Sequence, residues 1–301
     1  DAFIPPNPRP RSGTTKPRKD PVPRTRNSIG KSRSTAKTAF ALICLYLSIS
    51  GGTADAASPY RLDWRTDGAI VAATLATGAA ATAVSGNGHL SPTEVRELSR
   101  SSVNWLDRSA TYRYSTTSDK ASSALVGVCS LAPLLLSVTP KMRHDWQVVG
   151  VMYLETWFLA NWAPDISKGT IDRVRPYLYN PEAPLDEKVE DSSARRSFYS
   201  GHTTLAFATA TFSATILGDY YPTARWASRT GKGLLLTAAG VGYLRYAAGA
   251  HYPTDVLVGT VVGSAIGYLI PRLHRRDGDR RLILAPQPLV SGWALSLRWA
   301  L

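Results

Sequence analysis

Six apolar runs constrain this 301-residue chain more than anything else in it: residues 69–85, 121–139, 146–163, 201–217, 233–244 and 256–270. Several stay uncharged for about the length a bilayer needs. They are rich in Ala, Thr, Ser and Gly rather than Leu and Ile, so the inside of a water-soluble bundle fits as well as a membrane. In both cases the expected fold class is all-α, a helical bundle of about six core helices. Pro133 interrupts the second run and Glu155 the third. Between the runs, Ser91-Pro92-Thr93-Glu94 reads as a helix start with Pro at the first position. Arg96, Arg100, Asp107 and Arg108 read as a solvated face beyond it. Residues 177–199 are acidic and irregular, which suits either a lid over a site or a plain surface loop. Past residue 281 the pattern changes. Trp293, Leu295, Leu297 and Trp299 alternate with Ala294, Ser296 and Arg298, which is strand periodicity. With residues 282–289 this segment forms a short C-terminal β-hairpin.

The charge is uneven. Ten Lys and Arg against Asp1 and Asp20 give residues 1–37 a charge of +8 out of the chain's +13. That stretch is Pro-rich and poor in apolar residues, so it reads as a disordered basic tail and not as a folded nucleic-acid surface. A nucleic-acid partner is therefore not expected. Residues 38–49 are apolar, and Ala54-Asp55-Ala56 supplies small residues at a cleavage position. Basic stretch, short apolar core and such a site make residues 38–56 a signal peptide for export, with cleavage after Ala56. Cys44 then leaves with the signal. Cys129 remains in an apolar run, where it packs without an intrachain disulfide partner. The folded part is expected at 57–281, with the hairpin at 282–301.

Three short clusters between Lys168 and Asp255 carry the chemistry. The first is Lys168-Gly169-Thr170-Ile171-Asp172-Arg173-Val174-Arg175-Pro176. Its Lys168 and Arg175 are seven residues apart, so on a continuous helix they share one face, while Pro176 pushes Arg175 towards extended backbone. Two cations so placed can clamp a dianion, Arg through a planar fork and Lys as a point charge. The second is Ser200-Gly201-His202-Thr203, in which Ser200 caps a helix whose free N–H groups bind anions and Gly201 lets a ligand come close. Taken alone, that tripeptide is an ordinary helix cap, and the first cluster alone is a solvated basic helix end. The third is Arg245, His251 and Asp255, with Pro253 starting the last helix. Asp255, in its first turn, can reach back to His251 and fix its tautomer.

The order Lys-x6-Arg-Pro, Ser-Gly-His, Arg-x5-His-x3-Asp resembles the type 2 phosphatidic acid phosphatase / vanadium haloperoxidase superfamily, over about residues 69–269. The resemblance implies that Lys168, Arg175 and Arg245 bind phosphoryl oxygens, with Ser200 and the Gly201 N–H adding hydrogen bonds. It implies His251 as the nucleophile of a phosphohistidine intermediate, Asp255 as its orienting group and His202 as the general acid. Two positions depart from the family pattern. Tyr199 stands where Pro is usual before Ser-Gly-His, and Leu244 where Ser is usual before Arg. The implied activity is an exported, metal-independent phosphatase acting on a phosphomonoester or a lipid (pyro)phosphate. No cofactor and no metal are expected, and vanadate enters as an inhibitor. Two alternatives are a vanadium-dependent haloperoxidase, with vanadate as cofactor, and a non-enzymatic basic protein that binds membranes or polyanions. The implied partner is a phosphorylated lipid or small molecule, with membrane association open. Six spans after an exported N-terminus would put all three clusters inside the cell. A periplasmic site therefore needs a soluble bundle, or a first run that does not span. No Asp/Glu/His cluster is legible outside the motif.

Overall fold

The computed structural model describes residues 58–84, 86 and 88–276, and the backbone of 281–289 and 292–300. The basic tail and the signal peptide lie outside the described residues. Each of the six apolar runs lies within or largely overlaps a long helix: α1 (Trp64–Ala83), α3 (Thr116–Leu136), α4 (Trp146–Thr170), α6 (Gly201–Tyr220), α7 (Arg225–Ala247) and α8 (Pro253–Leu273). Two one-and-a-half-turn helices lie between them, α2 (Pro92–Glu97) and α5 (Leu185–Glu190). Helix α2 starts where the Ser91-Pro92 signal placed it. The Glu94 N–H donates to Ser91 Oγ, and the Ser91 N–H donates to the Glu94 carboxylate at 2.7 Å.

Helix α6 is the centre of the bundle, and its sequence explains why. Gly201–Tyr220 has no polar face, so it must be covered on all sides. Helices α3, α4, α7 and α8 all pack on it. Its Thr and Ser side chains fold back onto carbonyls one turn earlier, as Thr209 does on Leu205 and Ser213 on Thr209. This leaves small surfaces that neighbouring helices approach closely. Towards the second half of α6, Phe212, Ile216 and Leu217 are fully buried with Val149, Met152 and Ile270. Each such side chain contributes on the order of 1.5–3 kcal/mol by leaving water. Cys129 packs between α3, α6 and α7 with Ala206, Ala210, Ala238 and Val241, and has no disulfide partner.

The seam between α6 and α8 is made by Gly259, Gly263 and Gly267, spaced one turn apart. A Cβ at any of them would run into the α6 backbone, at the Ser200, Thr204 and Ala208 carbonyls respectively. The two helices thus touch backbone to backbone, and both start at the same end of the bundle. That end also receives the last turns of α4 and α7 and the first turn of α3.

Residues 177–199 pack as part of the fold. Tyr177, Leu178, Ala183 and Ala194 are buried with Leu90 and Val95. Asp107, expected on a solvated face, is instead fully buried. At the opposite end, residues before α1 meet residues after α8: the Arg61 N–H donates to the His274 carbonyl at 2.9 Å and the Arg276 N–H to that of Pro59 at 3.0 Å. The backbone of β1 (Arg281–Leu289) and β2 (Gly292–Ala300) pairs antiparallel, with Arg281 opposite Ala300.

Candidate active site

The three clusters converge at the end where α6 and α8 begin. Lys168 arrives on the last turn of α4. The helix stops at Thr170, so Lys168 and Arg175 do not share a helix face as their spacing suggested. The segment 173–175 runs extended instead. The Arg173 N–H donates to the Arg195 carbonyl at 3.0 Å and the Arg175 N–H to that of Ala194 at 2.8 Å. Pro176 enforces this geometry, since Arg175 sits at φ −67°, ψ 146°. The two cations still come together. Burial lowers the Lys168 pKa; Asp165, at 3.2 Å, opposes the fall, and Arg175 and Arg196 add to it. Arg175 anchors its Nε on the Ser193 carbonyl at 3.0 Å.

Arg245 closes α7. Its side chain is almost fully buried, with one Nη1 bonded to Asp119 and to Ser122 Oγ at 3.3 Å, while its Nε has no hydrogen-bond partner. The chain then turns back through Gly249, at φ 71°, where a Cβ would strike the Arg113 carbonyl. This turn sets His251 against the site. His251 is 2% exposed, and its Nδ1 lies 2.8 Å from the Ser197 carbonyl. A carbonyl only accepts, so Nδ1 carries the proton and Nε2 keeps its lone pair. Burial, then Arg175, Arg245, Lys168 and His202, push the His251 pKa well below the ordinary imidazole value. His202 follows the cap of α6, with Nε2 at 3.3 Å from Ser123 Oγ. Burial and then Arg245 lower its pKa to about 4, against the opposing pull of Asp119.

Asp255 reaches the His251 ring less directly than its spacing implied. Its Oδ2 is 3.6 Å from Nδ1, too long for a hydrogen bond. It accepts instead from Ser197 Oγ at 2.6 Å and the Tyr252 N–H at 3.0 Å, so Ser197, whose carbonyl meets His251 Nδ1, stands between the two. Its other oxygen pairs with Arg173, which also binds Asp107 at 2.6 Å and Thr254 Oγ1 at 3.0 Å. Ser200 is fully buried as the helix cap, its Oγ 2.8 Å from Thr203 Oγ1 and 3.4 Å from the Thr203 nitrogen. Its hydroxyl is thus engaged in the cap. At Gly201 a Cβ would sit 3.1 Å from Lys168 Nζ, so the glycine leaves that ammonium its place. A cavity of about 390 Å³ opens beside Arg175 and Asp119.

Sequence reasoning missed Ser197, Arg173, Asp107 and Asp119. Arg173 and Asp107 are 66 residues apart, and no local pattern joins them. It also missed a cluster away from this site: Asp67, Glu155 and His274 gather their side chains at a second, buried place.

The model of the PAP2 superfamily matches residues 149–279, which include all three clusters. Among curated proteins none matches the chain. Among solved structures it is similar to the first transmembrane PAP2 type phosphatidylglycerolphosphate phosphatase from Bacillus subtilis. The identity is 20%, with 77% of this chain and 93% of that chain covered and a TM-score of 0.39.

Proposed function

We propose that this protein is an exported phosphatase that works at a membrane and hydrolyses a phosphomonoester or lipid (pyro)phosphate through a phosphohistidine on His251. The observation that carries the reading is a neutral, buried imidazole whose Nδ1 is tied to a carbonyl, set among Lys168, Arg175 and Arg245. Those cations suit the three non-bridging oxygens of a phosphoryl group, and the free N–H groups at the start of α6 suit the same charge. Nε2 of His251 attacks phosphorus and the bond to the leaving oxygen breaks. His202, which takes up a proton when the phosphoryl dianion binds beside it and offsets the cations that lower its pKa, gives that proton to the leaving oxygen. Water then attacks the phosphorus, the now neutral His202 takes the water's proton, and the bond between phosphorus and Nε2 breaks with its electron pair returning to His251, so that phosphate leaves and the imidazole is restored. Resident metal has no part in these steps.

Membrane association rests on the outer surface. Helices α3 and α8 are long and apolar enough to cross a membrane. Val128, Leu131 and Leu135 of α3 and Leu257, Val261 and Tyr268 of α8 point outward at turn-like spacings, as do Leu236 and Tyr243 of α7. Apolar stripes on several helices match a lipid environment better than water.

Rapid quench with labelled substrate tests the nucleophile. An acid-labile, base-stable phosphoenzyme should form in the wild type and vanish in His251→Ala. His202→Ala should still form it from nitrophenyl phosphate but not from alkyl phosphates. Phosphate release should need no added divalent metal and should be inhibited by vanadate. A normal adduct in His251→Ala overturns the assignment. Turnover that requires vanadate, halide and peroxide would point to the haloperoxidase instead. A release assay across lipid phosphates, isoprenoid pyrophosphates and soluble monoesters, with and without detergent, identifies the substrate class.

A further inference from the structure

We infer that Asp67, Glu155 and His274 form a site for one divalent first-row transition-metal cation or zinc, which ties the start of α1, the middle of α4 and the end of α8 together. The three side chains are 3%, 5% and 1% exposed, and their ligand atoms lie within 4.8 Å of one another. His274 is pre-set as a ligand. Its Nδ1 is 2.8 Å from the Ile270 carbonyl, which can only accept, so Nε2 is the nitrogen turned to the carboxylates. Nε2 lies 2.6 Å from Asp67 Oδ1 and 3.4 Å from Glu155 Oε2.

Glu155 is the second, independent observation. Neither of its buried oxygens has a hydrogen-bond partner, although it stands inside an apolar helix at this junction. Leaving such a group unsatisfied is costly. A proton can hold the His274–Asp67 pair, since 2.6 Å is a hydrogen-bond length, and its charge then faces Glu155 at 3.4 Å, but it leaves both Glu155 oxygens without a hydrogen bond. A dication engages all three ligands and cancels the two carboxylate charges around a neutral imidazole. Bonds of about 2.0–2.2 Å in a tetrahedral site put ligand atoms roughly 3.3–3.5 Å apart. Glu155 and His274 already stand at 3.4 Å, and the Asp67 carboxylate, at 2.6 Å, must draw back from His274. The site lies at the other end of α8 from His251. Some twenty helical residues at 1.5 Å each separate them by roughly 30 Å. The cation therefore acts on the fold and not on the phosphoryl group.

The test uses the full chain in detergent, stripped with EDTA and titrated with Zn²⁺, with bound metal counted by elemental analysis and stability followed as Tm. Wild type and His251→Ala should each take up about one equivalent and gain roughly 5–10 °C at ~100-fold excess over Kd. Glu155→Gln and Asp67→Asn should lose both responses. Initial rates of phosphate release, assayed well below Tm, should not change on stripping, which separates this result from any failure of the catalytic assignment. Uptake below about a tenth of an equivalent with Zn²⁺ and with Mn²⁺ overturns the proposal. So does undiminished uptake in Glu155→Gln, or uptake that disappears in His251→Ala. If a variant does not fold, the wild-type and His251→Ala stoichiometries still decide.

Discussion

Arg175 shows how much of a residue's role resides in geometry that its charge alone does not supply. Its guanidinium is held at Nε by the Ser193 carbonyl, and in the proposed mechanism its far edge takes the phosphoryl group. Arg175→Lys keeps the charge and loses the fork. We expect kcat/KM to fall by about two to three orders of magnitude, with little change in Tm. Full activity in that variant would remove Arg175 from the clamp. The histidines predict a pH dependence. An imidazole nucleophile works unprotonated, and burial among cations holds the His251 pKa well below its ordinary value. The acid-side fall of kcat/KM for nitrophenyl phosphate should therefore lie well to the acid side of about 6.5, where a free imidazole titrates. An acid limb centred near 6.5 that shifts with His251 substitutions would contradict this. The order of the three motifs, through its resemblance to a known superfamily, picked out Lys168, Arg175, Ser200, Gly201, His202, Arg245, His251 and Asp255 as one group. It could not reveal that Ser197 stands between Asp255 and the His251 ring, because a backbone carbonyl has no signature in sequence.

At the scale of elements, the relative position of His202 and His251 is set by a contact between two helices. Gly263→Ala would drive a methyl into the Thr204 carbonyl and separate α6 from α8. We expect a loss of about 1–3 kcal/mol in stability and, because sub-ångström placement matters, a fall of about 10²-fold in kcat/KM. Gly127→Ala, on the open side of α3, is the control, since nothing lies within 4 Å of its Cβ. That substitution should leave activity intact and stabilise by roughly 0.5–1 kcal/mol. Equal behaviour of the two variants, read by circular dichroism melting and phosphate release, would rule out the seam as the device that sets the site. The six long helices were legible because each is a long apolar run. The early stop of α4 was not, since Ile171, Asp172 and Val174 carry no breaker; the stop follows from the pairing of 173–175 with 194–197, a contact made across some twenty residues.

Viewed whole, the described domain has the three motif clusters at one end and the junction of 58–62 with 272–276 at the other. Charge and apolar patterning in the sequence indicate the bundle but not which ends meet, since that depends on Tyr60, which is fully buried and donates to Asp219 at 2.6 Å. The junction has a consequence for connectivity. Residue 276 pairs with Pro59, and the hairpin brings Ala300 back opposite Arg281, close to where it left. The helices thus form a nearly closed cycle, in which the place where the chain is cut is a matter of genetics more than of packing. A linker on the order of ten Gly and Ser residues from 300 to 58 would close that cycle. New termini could then be opened in the turn after Tyr221, between α6 and α7. Such a permuted chain should fold with a Tm within a few degrees of the parent and release phosphate at a comparable rate. An inactive or insoluble permutant would mean that the order in which the helices emerge, and not only their final neighbours, decides this fold.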